Sequence, residues 1–127
     1  MANMKQHNPG FLALVNDAKT RVKEITAAGY AALVQDGDHH VLIDVREDHE
    51  WGAGHAAGAI HLCKGIIERD IETLFPDKRQ KLVLYCGGGY RSALAADALQ
   101  KMGYQNVLSL AGGWRAWLAA NLPVEGC

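Results

Sequence analysis

The amino-acid sequence predicts an α/β domain with a mainly parallel central sheet and helices on both faces. Short apolar runs alternate along the chain with longer amphipathic segments, as expected where each strand is followed by a helix. The runs are rich in β-branched residues and bounded by turn residues, which is typical of strands buried on both faces. The 127 residues are 49% hydrophobic and 21% charged, so we expect one folded domain and exclude a disordered chain.

The N-terminal residues are predicted to form a helix outside the main domain. Apolar side chains within residues 8–20 recur at helical spacing, which indicates an amphipathic helix. This helix is expected to pack on the domain, with a contact to another subunit as the alternative. We therefore divide the chain into a helical extension, residues 1–20, and a domain, residues 21–127.

The remaining elements follow from periodicity and from start and stop signals. Thr26 is a suitable cap for a helix over Ala27–Gln35, Pro76 ends one later helix, and Gly103 ends another. The predicted strands are Val22–Ile25, Val41–Val45, Lys81–Tyr85 and Asn106–Leu110. The later helices are predicted over Glu68–Phe75, Ser92–Met102 and Trp114–Asn121.

Charge and composition exclude several classes of function. The formal net charge is -1, which argues against a nucleic-acid-binding protein, and no apolar run approaches the ~18 residues of a membrane span. The polar start does not resemble a secretory signal, so we expect a soluble, cytoplasmic protein.

The cysteines lack Cys-x-x-Cys spacing and are expected to be free thiols: Cys63, Cys86 and Cys127. We expect no metal and no cofactor, and we interpret Asp38-His39-His40 as a solvated turn.

The segment that carries the chemistry is Tyr85-Cys86-Gly87-Gly88-Gly89-Tyr90-Arg91-Ser92. It lies between a predicted strand and a predicted helix, at the carboxyl end of the sheet, where open α/β folds bind ligands. Three glycines allow the backbone to curl and direct several N–H groups inward. The following helix adds the positive end of its dipole, and Arg91 adds a permanent charge. We call residues 86–92 the cysteine loop.

These surroundings favour the thiolate form of Cys86. An ordinary thiol is mostly protonated at pH 7, and a helix N-terminus with a nearby arginine shifts it toward the nucleophilic, oxidisable thiolate. One alternative is that Cys86 merely ends a buried strand as a small apolar residue. Another is a phosphate cradle, but the glycine pattern matches neither common nucleotide-binding motif.

The cysteine loop and the motifs around it resemble those of the single-domain rhodaneses, a family of sulfurtransferases. The loop pattern Cys-x-x-Gly-x-Arg-Ser is matched by Cys86, Gly89, Arg91 and Ser92. An Asp-Val-Arg signature and its following segment are matched by Asp44-Val45-Arg46, Glu50, Gly54, His55 and Gly58-Ala59-Ile60. The family's closing motif is matched by Leu110-Ala111-Gly112-Gly113 and Trp117. One departure is that Ala56-Ala57 follows His55, where the family often has Ile-Pro.

The resemblance implies a rhodanese-like domain and a persulfide mechanism. The nucleophile would be Cys86, taking a sulfane sulfur from thiosulfate or a similar small donor and passing it to cyanide or a thiol. The donor would be bound by Gly87, Gly88, Gly89, Tyr90, Arg91 and Ser92. Asp44 and Arg46 are expected to form a buried pair that supports the loop from behind.

Three alternatives stay open. The first is a sulfur-relay or interaction module that receives sulfur from a partner protein and turns thiosulfate over poorly. The second is a phosphatase-like or arsenate-reducing enzyme, which the resemblance disfavours because such loops have seven residues from cysteine to arginine. In this sequence Cys86 to Arg91 spans six. The third is a non-catalytic scaffold, which the intact Cys86 disfavours.

Other candidate residues are assigned structural roles. His55 and His61 are expected to be loop and packing residues rather than general bases, and Trp114 and Trp117 are expected in the core. Tyr90 is interpreted as facing the substrate. Cys63 is expected to be inert, and Cys127 to be an incidental terminal thiol, with resolution of a persulfide as the alternative.

Overall fold

Parallel strands form the centre of the protein in a computed structural model that describes residues 7–126. In chain order the strands are β1 Lys23–Ile25, β2 Val41–Asp44, β3 His55–Ala56, β4 Ile60–His61, β5 Leu82–Tyr85, β6 Val107–Leu110 and β7 Val124–Glu125. The helices are α1 Pro9–Lys19, α2 Ala27–Gln35, α3 Asp48–Gly52, α4 Lys64–Leu74, α5 Tyr90–Lys101 and α6 Gly113–Ala119. No helix in this part of the chain combines the length and apolarity needed to cross a bilayer.

The main sheet has the order β1-β6-β5-β2-β4, with all of its neighbours parallel. Strand β5 is central, and all four of its residues are buried. Asp44 at the end of β2 pairs in register with Tyr85 at the end of β5. The carboxyl ends of these strands therefore meet at one edge of the sheet, directly before Cys86.

Apolar cores lie on both faces of the sheet. On one face, Ile67 and Ile71 of α4 and Leu99 of α5 pack against β2 and β5. On the other, Tyr30 of α2 and Trp117 of α6 pack against the opposite side chains of the same strands. Alternate residues of each strand thus supply the two cores, as strand geometry requires. The predicted fold class is confirmed.

The N-terminal helix packs on α5 rather than on the sheet. Val15 and Ala18 are its fully buried residues. Arg21, just after α1, forms an ion pair with Asp97 of α5: its guanidinium donates to both carboxylate oxygens at 2.8 Å. The helix is consequently held at the side of the domain by apolar burial and by an ion pair.

The predicted elements are all present; α2 has its predicted bounds, Ala27–Gln35, and the others have shifted ends. Helix α4 begins at Lys64 instead of the predicted Glu68. Its N-cap residue is Cys63, which has neither the hydroxyl nor the carboxylate group that usually marks a helix start, so the true start could not be recognised in the sequence. Helix α5 begins at Tyr90 instead of Ser92, since Gly89 adopts the positive φ of 97° that precedes it. The sequence did not indicate α3, β3, β4 or β7, which have two to five residues each and are too short to show a period.

Candidate active site

Cys86 follows the central strand and is almost completely buried, at 1% exposure. Its Sγ accepts a hydrogen bond of 3.1 Å from the backbone N–H of Gly89. Gly89 precedes the first residue of α5, so the sulfur lies at the positive end of that helix dipole. The sulfur of Cys86 thus lies beside a backbone N–H donor of the loop that precedes α5.

The segment after β6 packs against the cysteine loop and requires its two glycines. Gly112 and Gly113 both have positive φ, at 76° and 52°. A Cβ on Gly113 would collide with the carbonyl oxygen of Cys86. That carbonyl accepts a 2.7 Å hydrogen bond from the N–H of Trp114. The close approach of two backbones explains the Gly-Gly pair that the resemblance identified by pattern alone.

A buried pair of serine hydroxyls lies behind the sulfur. Ser92 Oγ is 3.5 Å from Cys86 Sγ and 2.8 Å from Ser109 Oγ. Both serines have no exposed surface. Ser109 belongs to β6, and the sequence analysis did not single it out. Its polar side chain at a buried strand position is the signal that could have identified it.

Arg91 lies at the cleft but is already paired. Its guanidinium donates to both carboxylate oxygens of Glu50, at 2.8 and 3.1 Å. The hydrogen bond from Arg91 is the main cause that lowers the pKa of Glu50 from 4.5 to about 2. The hydrogen bond to Glu50 likewise raises the pKa of Arg91, against the effect of burial. Arg91 thus brings a fixed charge that Glu50 largely compensates.

Asp44 and Arg46 form a buried ion pair at the end of β2. Arg46 is 4% exposed and Asp44 is fully buried, and Nη2 of Arg46 lies 2.8 Å from Oδ2 of Asp44. The same oxygen accepts a 2.6 Å hydrogen bond from the Tyr85 hydroxyl, and Arg46 Nη2 also donates to the carbonyl of Gly54. Burial is the largest single effect on Arg46 and acts to lower its pKa, but the hydrogen bond to Asp44 and the nearby negative charges together raise the pKa.

This buried pair reaches the residues around the cysteine loop. Tyr85 directly precedes Cys86, and its hydroxyl accepts a hydrogen bond from the N–H of Ala56. The Arg46 guanidinium lies 4.7 Å from the centre of the Trp114 ring, a cation–π contact. The pair thus connects β2, β3, β5 and α6 behind the loop. Burial is the main cause that raises the pKa of the Tyr85 hydroxyl.

An open cleft of about 440 Å³ leads to Cys86. Its lining includes Gly87, Gly88, Tyr90 and Arg91 of the predicted set, while Gly89, Ser92, Asp44 and Arg46 lie outside the lining. The lining residues that the sequence analysis did not assign to the site are His7, Phe11, Glu47, His49, Glu50 and Arg115. Glu50 was identified only as part of a motif, and α1 carried no pattern that points to a site.

The remaining candidates lie in packing positions. The ring of His55 stacks on Trp51 with centroids 3.4 Å apart, and His61 stacks on the same ring at 4.9 Å. Trp117 is buried, whereas Trp114 is half-buried.

Cys63 is a half-buried free thiol, and Cys127 is outside the described residues. Across residues 7–126, no group of three potential metal ligands comes together.

The sequence model of the rhodanese-like domain matches residues 26–120 of this chain. The chain belongs to the rhodanese-like domain family. The match begins at the cap of α2 and includes the cysteine loop and the Gly-Gly segment. Helix α1 lies outside the matched residues.

Named relatives agree with the rhodanese assignment. YtwF of Bacillus subtilis, provisionally named a sulfurtransferase, is 34% identical over 102 residues, covering 80% of this chain and 96% of YtwF. The thiosulfate sulfurtransferase GlpE of Haemophilus influenzae is 31% identical over 103 residues, covering 81% of this chain and 94% of GlpE. Membership of the rhodanese family and these names support sulfur transfer as the general chemistry.

A solved structure from Rhodopseudomonas palustris is similar over nearly the whole chain. It has 32% sequence identity and a TM-score of 0.84, covering 97% of this chain and 100% of that one. That protein is described as one of unknown function and a possible tyrosine phosphatase. Its coverage extends the likeness beyond the residues that the rhodanese model matches.

Proposed function

We propose that this rhodanese-like protein is a sulfurtransferase that carries a sulfane sulfur as a persulfide on Cys86. The observation that carries the proposal is the position of Cys86 Sγ. It lies at the end of the central strand, accepts a hydrogen bond from the N–H of Gly89, and lines the cleft. A nucleophilic sulfur that accepts a hydrogen bond from an N–H group at the N-terminus of a helix is the arrangement that this chemistry needs.

The first step is a displacement on the outer sulfur of a donor such as thiosulfate. The Cys86 thiolate forms a bond to that sulfur, the sulfur–sulfur bond of thiosulfate breaks, and sulfite leaves with the electron pair. The enzyme then holds an anionic persulfide. The N–H groups of the cysteine loop would stabilise this charge in the way that an oxyanion hole does.

The second step returns the enzyme to its starting state. An acceptor nucleophile, cyanide in an assay or a thiolate, attacks the terminal sulfur of the persulfide. The persulfide bond breaks, the Cys86 thiolate leaves, and thiocyanate or a new persulfide is released. No cofactor, oxidant or general base takes part in either step.

The predicted binding and supporting residues have different roles in this proposal. Backbone N–H groups of Gly87, Gly88 and Gly89 would contact the transferred sulfur. Arg91 would orient the anionic donor together with Tyr90, while Ser92 holds the position of Cys86.

Asp44 and Arg46 would fix the end of β5 from behind. The distances of Ser92 and Gly89 from the sulfur support this division.

The proposal is tested by the mass of the intact protein after brief incubation with thiosulfate and desalting. We expect a gain of about 32 Da that cyanide removes, corresponding to a cysteine persulfide. Cys86→Ser should show no gain. Cys63→Ser is the matched control, because Cys63 is also a free thiol but lies outside the cleft lining, and it should behave as the wild type.

Two results would contradict the proposal. A gain that persists in Cys86→Ser would assign the persulfide to another cysteine. Absence of a gain with thiosulfate and with other sulfane donors, together with hydrolysis of an aryl phosphate, would favour the phosphatase alternative. A persulfide that forms on Cys86 but turns over poorly with cyanide would support sulfur transfer and favour the relay form of it.

A further inference from the structure

Helix α1 supplies part of the cleft that leads to Cys86, although it lies outside the residues that the rhodanese model matches. His7, Phe11 and Tyr90 line one side of the cleft. The rings of His7 and Tyr90 have centroids 4.4 Å apart, those of His7 and Phe11 are 5.2 Å apart, and those of Phe11 and Tyr90 are 6.3 Å apart. We call these three residues the aromatic wall.

The aromatic wall is held in a fixed position relative to the sulfur. Val15 and Ala18 on α1 are buried against α5, and Tyr90 is the first residue of α5. Lys19, at the end of α1, places its ammonium 5.2 Å from the centre of the Tyr90 ring. The same helix that carries Phe11 is thereby attached to the helix that follows the cysteine loop.

The size and charge of the cleft suit a donor larger than thiosulfate. About 440 Å³ is within the range of roughly 300–1,000 Å³ typical of pockets for larger organic molecules. The charged lining residues with permanent charge at pH 7 are two carboxylates and two guanidiniums: Glu47, Glu50, Arg91 and Arg115. Among residues 7–126 these lining charges cancel, so this part of the cleft offers a small dianion little net attraction, whereas the wall offers an aromatic group a stacking surface.

We propose that α1 makes this site selective for sulfane donors that carry an aromatic group, with aryl thiosulfonates as the representative class. This inference rests on the proposed sulfur transfer through Cys86. The ring of the donor would contact Phe11 and Tyr90, while its thiosulfonate group extends toward the cysteine loop. Phe11 is then a residue that determines specificity, and it takes no part in the bond changes.

The transfer from such a donor balances in the same way as for thiosulfate. The Cys86 thiolate attacks the outer sulfur of benzenethiosulfonate, the bond between the outer sulfur and the sulfonyl sulfur breaks, and benzenesulfinate leaves with the electron pair. Two singly charged anions become the enzyme persulfide anion and the sulfinate anion. Cyanide then removes the terminal sulfur as thiocyanate.

The experiment compares benzenethiosulfonate with methanethiosulfonate, which has the same reacting group and charge but no ring. Thiocyanate formation gives kcat/KM for each donor, and in a two-step transfer this quantity reports only the donor step. We measure the ratio of the two values in the wild type and in Phe11→Leu, which keeps an apolar side chain and removes the ring. Comparing ratios cancels the difference in intrinsic reactivity of the donors.

We expect the ratio to fall by roughly two- to tenfold in Phe11→Leu, the range expected for one aromatic contact. Phe11→Tyr keeps the ring and should keep the ratio. Leu14→Ala is the matched control on the same helix, because Leu14 is 63% exposed and does not line the cleft. It should leave the ratio unchanged.

An unchanged ratio in Phe11→Leu would overturn the inference and leave the proposed sulfur transfer intact. An equal loss in Phe11→Tyr would also overturn it, since the ring would then not be the cause. If neither donor forms a persulfide on Cys86, as measured by mass, both the proposed function and this inference fail.

Discussion

Glu50 holds the Arg91 guanidinium by two hydrogen bonds and thereby determines how this part of the cleft responds to acid. The Glu50 side chain is 26% exposed and that of Arg91 is 31% exposed, so the pair is only partly shielded from solvent. Glu50 also accepts a hydrogen bond from the backbone N–H of Glu47 at the start of α3. Its ionised form is consequently stabilised from two sides, whereas a glutamine at this position keeps one acceptor oxygen but loses the negative charge and the second acceptor for Arg91.

Replacing Glu50 by glutamine should destabilise the protein in a pH-dependent way. We expect a loss of about 1 kcal/mol in the free energy of unfolding at pH 7. The pKa of Glu50 is lowered by folding to about 2, so the advantage of the wild type is complete above its ordinary pKa of 4.5. It should disappear as the pH falls from there toward 2. Denaturant titrations of both proteins across this range provide the measurement.

Glu72→Gln is the matched control, since Glu72 on α4 has an exposed side chain and forms an ion pair with Lys78, which follows that helix. Its effect at pH 7 should stay within about 0.5 kcal/mol. A difference between wild type and Glu50→Gln that is unchanged at pH 2.5 would contradict the assignment of Glu50 as the residue that titrates.

At the scale of elements, the site is made by two strand-to-helix turns that lie against each other. The turn after β5 contains Cys86, and the turn after β6 contains Gly112 and Gly113. The N–H groups of Trp114 and Arg115 donate to the carbonyls of Cys86 and Gly87. The second turn therefore fixes the backbone of the first, and any side chain between them displaces both.

Gly113→Ala should damage stability and sulfur transfer together. The added methyl group would collide with the Cys86 carbonyl, and the residue has a φ of 52°. We expect a loss of more than about 2 kcal/mol in the free energy of unfolding and a strongly reduced rate of persulfide formation. Urea unfolding and the mass assay measure these effects.

Gly65→Ala provides the comparison, because a methyl group there has Cys63 Sγ at 4.0 Å as its nearest contact and the residue is within α4. This variant should be neutral or more stable by up to about 1 kcal/mol. Full sulfur transfer in Gly113→Ala would show that the turn after β6 does not position Cys86.

At the scale of the whole molecule, α1 packs against α5 at the side of the domain. Phe11, near the N-terminus of α1, lines the cleft. The attachment of α1 joins Val15 and Ala18 to α5, and Arg21 to Asp97. These contacts imply that residues 8–20 unfold with the rest of the chain, even though we assign them to an extension. The division into residues 1–20 and 21–127 thus remains a proposal about organisation, and unfolding experiments can test it.

Val15→Ala should lower the stability of the entire protein. Val15 is completely buried, and removal of its methyl groups is expected to cost roughly 1–3 kcal/mol. If α1 and the domain unfold as one unit, circular dichroism and tryptophan fluorescence will show a single transition that moves to lower urea. Leu14→Ala, on the exposed side of the same helix, should change stability by less than about 0.5 kcal/mol. Separate transitions by the two probes would establish α1 as an independent extension.

The order of helices and strands could be predicted because their signals are local. Thr26 gives the start of α2 correctly, since its side chain accepts a hydrogen bond from the N–H of Gly29. The pair β3 and β7 could not be predicted, because it joins residues 55–56 to residues 124–125. Two-residue strands have no periodicity, and their pairing depends on the tertiary fold.

Much of the candidate site was accessible from the sequence, for a similar reason. The cysteine loop is one continuous segment, so its glycines, Cys86 and Arg91 could be interpreted together. The pairing of Arg91 with Glu50 joins residues 41 positions apart, and sequence alone predicted a freer positive charge. The contribution of Phe11 depends on where α1 packs, which its amphipathic pattern does not specify.

The compensated charge of Arg91 has a consequence for how anionic donors reach the protein. Because the permanent charges that line the cleft cancel within residues 7–126, these lining residues supply little long-range field to steer thiosulfate by diffusion. We expect its kcat/KM to change less than about twofold as ionic strength rises from roughly 0.01 to 0.15 M, over which the Debye length falls from ~30 to ~8 Å. Glu50→Gln leaves one guanidinium in excess, so its kcat/KM should fall more steeply over the same salt range. Stopped-flow rates at several salt concentrations would distinguish capture by short-range backbone dipoles from capture by a charged surface.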